Sequence, residues 1–150
     1  MRLVADIVNG HAQLGVLFYY HGILAPFPLT MVLDTGATCS CLLPDHVYYL
    51  RIPYLNLRDS PSESNTARGR VRSKILPNVD LYIPVLGGPD SDQDQIWPIH
   101  FDEFDIIPPL RGHVPEPRHR VVSLLGMDVL SSFDSWRWDR DRRRVYLDTP

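Results

Sequence analysis

Apolar residues in this chain fall in short runs broken by Gly, Pro, Asn and Asp, a pattern that predicts strands joined by turns. Val4-Ala5-Asp6-Ile7-Val8 and Ala12-Gln13-Leu14-Gly15-Val16-Leu17-Phe18-Tyr19 flank Asn9-Gly10, which predicts an opening β-hairpin. Pro26 and Pro28 interrupt the next stretch. Leu29-Thr30-Met31-Val32-Leu33 then reads as a short buried strand ending at Asp34-Thr35-Gly36. Thr66-Ala67-Arg68-Gly69-Arg70-Val71 separates a Ser- and Asn-rich stretch from the apolar segment Ile75 to Val85, and predicts a glycine-bearing hairpin tip over about 64–75. From Gly87 to Arg120 six prolines and an acidic run predict a long irregular insertion, with one short strand at Ile96 to Ile99 or Phe104 to Ile107. Val121 to Gly126 restores order, Met127 to Phe133 has the spacing of a short helix, and a last hairpin joins Trp136-Arg137-Trp138 to Arg144-Val145-Tyr146-Leu147 through a charged turn at Asp139 to Arg142.

At 150 residues, 44% hydrophobic and 22% charged, the chain suits a single domain spanning 1–150. No segment is long and apolar enough to span a bilayer, and Asp6 interrupts the apolar run that a secretory signal would need, so no membrane partner and a cytoplasmic location are expected. Cys39 and Cys41 stand one residue apart, a spacing that points both the same way on an extended segment without disulfide geometry, and two free thiols are expected. The six histidines include no pair at helical metal spacing, and neither a metal nor a cofactor is expected. A net charge of -3 disfavours a polyanion as partner. The arginines between Arg137 and Arg144 alternate with Asp139 and Asp141, which suits a hairpin with one solvated face better than a nucleic-acid platform.

One segment carries candidate chemistry. Met31-Val32-Leu33-Asp34-Thr35-Gly36-Ala37-Thr38-Cys39-Ser40 closely resembles the active-site segment of the retropepsin family of aspartic proteases. Val121-Val122-Ser123-Leu124-Leu125-Gly126-Met127-Asp128-Val129-Leu130 is similar to the second signature of that family, two apolar residues and Gly leading into a short helix. Thr66-Ala67-Arg68-Gly69 resembles the flap of its cellular and microbial members. The resemblance implies a mainly β, closed acid-protease fold with one short C-terminal helix, active as a homodimer on polypeptide substrates. It further implies Asp34 as the catalytic residue, Thr35 and Gly36 as support for its loop, and Ala37, Thr38 and Gly69 as substrate-binding positions.

The chemistry explains why a second copy is required. Hydrolysis by two carboxylates needs one ionised to activate water and one protonated to polarise the carbonyl. The chain has one Asp-Thr-Gly and no Asp-Ser-Gly, so the second carboxylate has to come from another copy across a twofold axis. Thr38 and Cys39 stand where viral members carry acidic residues, so substrate preference does not carry over. The resemblance also makes Arg2 to Asp6 and Arg144 to Leu147 the candidate strands for the interface sheet into which the chain ends of viral members interleave. Three alternatives stand beside these expectations. Asp34-Thr35-Gly36 is also a good structural turn, Asp128 suits a carboxylate that ties down the helix after Gly126, and Gly69 suits an ordinary hairpin glycine. At the level of function, the alternatives are a catalytically silent peptide-binding or dimerisation module and a nucleic-acid-associated protein.

Overall fold

Asn9 and Gly10 adopt φ of 50° and 81°, the paired positive values of a two-residue turn whose twist matches that of the strands it joins. They connect β1 (Arg2–Val8) to β2 (His11–Tyr20), with Val8 opposite His11. The computed structural model describes residues 1–66, 69–86 and 94–149. After β2 come β3 (Ile23–Leu24), β4 (Leu29–Leu33), β5 (Cys41–Leu42), helix α1 (Pro44–Tyr49), β6 (Asp59–Thr66), β7 (Gly69–Leu86) and β8 (Asp94–Ile106). The chain continues with β9 (Ser123–Leu125), helix α2 (Met127–Leu130), β10 (Ser135–Asp139) and β11 (Arg144–Asp148).

These strands make one sheet that closes on itself. Its order is β10-β11-β1-β2-β4-β9-β5-β8-β7-β6, and β7 pairs back onto β2 (Tyr82 with Leu17) and β1 (Val85 with Leu3). Closure leaves the alternate side chains of each strand facing one interior. Ala12, Leu14, Val16 and Phe18 of β2, Val79, Leu81, Ile83 and Val85 of β7, and Phe104 and Ile106 of β8 fill it, with Phe18 edge-on to Phe104 at 5.7 Å between ring centroids. The result is the mainly β, closed fold expected from the sequence.

Four details differ from expectation. Among its described residues the proline-rich stretch contains a thirteen-residue strand, β8, and no short isolated one. Pro98 sits opposite Tyr82 in a part of β8 whose described ladder partner is β7 alone, and a sheet edge tolerates a residue without an N–H. Residues 87–93 of that stretch, like 67–68 of the expected hairpin tip, lie outside the described residues. A second helix, α1, accompanies the expected one, with Pro44 at its start and Asp45 in its first turn, both favourable there. The helix after Gly126 stops at Leu130 rather than Phe133. The fourth concerns the terminal strands, which pair with each other within the chain, Leu3 opposite Leu147 and Ala5 opposite Val145. Asp148 accepts two hydrogen bonds from the Arg2 guanidinium at 2.6 and 3.3 Å. With β11 flanked by β1 and β10, neither strand is open to interleave with a partner as the resemblance implied.

The arginine cluster is partly occupied by its own hairpin and by β1. Arg137 stacks over the Tyr146 ring at 4.5 Å, and Arg144 pairs with Asp6 at 3.3 Å. The two cysteines are free, but they do not share a face: Cys39 lies exposed in the loop before β5, whereas Cys41 lies buried within β5.

Helix α1 is fixed to the sheet through a buried polar contact. His46 Nδ1 hydrogen-bonds with Ser123 Oγ at 2.6 Å, and the same oxygen accepts the Leu43 N–H at 3.0 Å. Burial pushes the imidazole down to about 4, outweighing the opposing pull of Asp45. The folded value lies below the ordinary one, so the unfolded chain binds the proton first as pH falls. The associated stability is therefore complete above about pH 6.5 and is lost on acidification toward pH 4. At ~1.4 kcal/mol per pH unit the loss is roughly 3 kcal/mol. Urea unfolding of the wild type should show its midpoint falling through this window, with a shallower fall in His46→Leu. Identical slopes would remove His46 as the cause.

Candidate active site

Strand β4 is buried at Leu29 and Met31 and delivers the chain to the surface at Asp34. It runs parallel to β9, with Val32 beside Leu124 and Leu33 beside Leu125, and the Asp34 N–H continues this ladder by donating to the Leu125 carbonyl at 3.0 Å. The chain then turns sharply. The Gly36 N–H donates to Asp34 Oδ1 at 2.8 Å, and the Ala37 N–H donates to the Asp34 carbonyl at 3.2 Å. One carboxylate oxygen is thereby held by backbone, which fixes the side chain at the end of its strand. Asp34 and Ala37 are half-buried, whereas Thr35, Gly36 and Thr38 are exposed at the apex.

The far side of the loop is tied to α2. Carbonyls of Ala37 and Thr38 accept the N–H groups of Met127 (2.8 Å) and Asp128 (3.1 Å). In the reverse direction the Asp128 carboxylate accepts the Ser40 N–H at 2.9 and 3.0 Å and the Ser40 hydroxyl at 2.7 Å, while Ser40 Oγ accepts the Gly126 N–H at 2.9 Å. Asp128 therefore has the tying role that the sequence left open to it. Gly126 is required for space, since a Cβ there would lie 2.6 Å from the Cys39 carbonyl carbon and 2.8 Å from the Ala37 oxygen. Burial, then the charges of Asp128 and Asp105, hold the adjacent Cys39 thiol above its usual value, which disfavours the reactive thiolate.

Asp34 opens onto a cleft of about 910 Å³. Val32 and Leu33 continue its floor, Val8, Asn9, His11 and Gln13 of the first hairpin form one wall, and His119, Arg120, Val122 and Leu124 form another. The walls were not legible as such, because β9 reaches Asp34 only through its parallel pairing with β4, between residues some ninety positions apart. The sequence signal for them was the second signature itself, whose leading residues include two of the wall positions. Gly69 stands opposite Thr66 where β6 meets β7.

Substitution at the tie should weaken the fold. Gly126→Ala forces backbone apart, and Asp128→Ala leaves the buried Ser40 with unpaired groups, each costing about 1–3 kcal/mol. Urea midpoints of both variants should fall below that of the wild type, and an unchanged midpoint in Asp128→Ala would mean that the loop holds without it.

No family model matches the chain, and no curated protein matches it. Solved structures do. A retropepsin-like aspartic protease from Rickettsia conorii superposes with a TM-score of 0.50 at 18% identity, over 98% of this chain and 90% of that one. The protease of EIAV, solved in complex with the inhibitor HBY-793, aligns over 83% of this chain and 88% of its own at 18% identity, with a TM-score of 0.38. The end-to-end match to the first of these, together with the closed sheet described above, gives the chain the retropepsin-like fold.

Proposed function

We propose that the protein is an aspartic endopeptidase that acts as a homodimer, with Asp34 of each copy supplying one carboxylate of a shared site. The observation that carries this is the Asp34 loop. A carboxylate fixed by the Gly36 N–H lines a cleft of about 910 Å³, on a chain with no second Asp-Thr-Gly. Two such groups brought close cannot both ionise readily, so the pair holds one proton. The ionised carboxylate takes a proton from water as the water oxygen bonds to the peptide carbonyl carbon. The protonated one gives its proton to the carbonyl oxygen. Collapse of the resulting diol returns a proton to a carboxylate, delivers one to the departing amide nitrogen and breaks the C–N bond. The exposed apex at Thr35 and Gly36 is the surface that a second copy would cover, and its exposure in the single chain supports the twofold arrangement. Thr35 and Gly36 would support the loop there, Ala37 and Thr38 would border the substrate, and Gly69 would meet it from the β6–β7 hairpin.

Cleavage of a mixed peptide library, read by mass spectrometry, tests the chemistry. Asp34→Asn should lower the rate roughly 10²- to 10⁴-fold while leaving the urea midpoint near that of the wild type. Equal cutting by the variant would exclude Asp34 as the catalytic group, and intact peptides bound by a folded wild type would favour a silent peptide-binding module.

Dilution tests the shared site independently. Specific activity should fall with protein concentration in step with the dimer fraction measured by sedimentation. Constant specific activity in a sedimenting monomer would contradict a site built from two chains.

A further inference from the structure

The cleft wall carries a cation that the fold does not use. Arg120 lines the cleft, and among the described residues its guanidinium has no ion-pair or side-chain hydrogen-bond partner. Several other cations are occupied. Arg2 pairs with Asp148, Arg144 with Asp6, Arg58 with Glu103 and Lys74 with Asp59, while Arg118 stacks over the Phe27 ring at 4.7 Å. The chain as a whole is acidic, with 18 Asp and Glu against 15 Lys and Arg, yet among the described residues Asp34 is the only acidic one lining this cleft. Its other ionisable lining residues are Arg120, His119 and His11.

The backbone that presents Arg120 is also fixed. The Arg120 N–H donates to the Pro117 carbonyl at 2.8 Å, and the Val121 N–H donates to the Arg118 carbonyl at 3.2 Å. Just upstream, the Glu116 carbonyl accepts the Tyr49 hydroxyl at 2.8 Å, and the Glu116 N–H donates to Asp45 at 3.2 Å. A guanidinium carried on an anchored turn presents a planar fork of donors suited to a carboxylate. Val122 and Leu124 on the same wall, with Val32 and Leu33 on the floor, add apolar surface for neighbouring side chains, which favours an extended polypeptide over a polyanion.

We infer that Arg120 is a specificity-determining residue, selecting polypeptide segments that carry a Glu or Asp side chain within the stretch seated in the cleft. The inference rests on the reading of this cleft as a polypeptide site, and the hydrolytic chemistry is separable from it. Binding to the Asp34→Asn protein, followed by fluorescence anisotropy, uses pairs of labelled peptides that differ only in Glu against Gln at one position. The Glu member should bind roughly five- to tenfold more tightly, with the advantage shrinking as salt rises. It should vanish in Asp34→Asn/Arg120→Gln and reverse in favour of Lys-bearing peptides in Asp34→Asn/Arg120→Glu. Arg51→Gln, an exposed arginine outside the cleft, should leave it in place. A Glu-to-Gln ratio near one, a ratio unmoved by Arg120→Gln, displacement of the peptide by a single-stranded oligonucleotide at the same concentration, or no peptide binding at all would each overturn the inference. Selective binding through Arg120 without any cleavage by the wild type would instead remove the hydrolytic reading and leave the inference standing.

Discussion

The Asp128 carboxylate and the Ser40 side chain form the tie on which the site depends. Strand β9 lies between β4 and β5, so the loop from Asp34 to Ser40 has to pass around the end of β9 and return along its other side. Such a loop has few neighbours of its own to satisfy its backbone. The start of α2 provides them, with two carbonyls of the loop taking helix N–H groups while a helix carboxylate takes the Ser40 N–H. Gly126 permits this approach because it occupies no volume beyond the backbone. The position of Asp34 is thus fixed from both sides, by the β9 ladder before it and by α2 after it.

This arrangement accounts for what the sequence revealed and what it did not. The first hairpin was legible because Asn-Gly both demands and tolerates positive φ, and strand β4 because its apolar run ends abruptly in turn residues. Asp34 was legible as a candidate because its neighbours repeat a recognisable segment, and Asp128 because a carboxylate just inside a helix start has an evident local use. Long-range partners were not. Nothing local to Arg120 or His11 announces that the two face one cleft, since they meet only when the sheet closes. Strand β8 was hidden for a different reason. Pro98, in a proline-rich stretch, argues against a strand when read locally, and only the sheet order shows that it occupies a part of β8 paired along one side.

Closure also explains why the expected interface strands are unavailable. Strand β7 is long enough to serve as the rim of one hairpin with β6 and the seam between β8 and the β1–β2 pair. β1 is held between that seam and β11, and β11 between β1 and β10, so both strands are paired on each side. A second copy would have to approach by surfaces the closed sheet leaves open, among them the exposed apex of the Asp34 loop and the outer edge of β10.

Residues 121 to 125 divide their work by parity. Val121, Ser123 and Leu125 point into the protein, where Ser123 engages His46, whereas Val122 and Leu124 face the cleft. Alternate positions on one short segment are therefore under different physical constraints. Changes at the even positions can reshape the cleft wall without opening cavities in the interior, and changes at the odd ones can tune folding without altering that wall. An ordinary property of extended backbone, its twofold periodicity, lets one segment vary its cleft-facing surface while keeping its inward-facing packing.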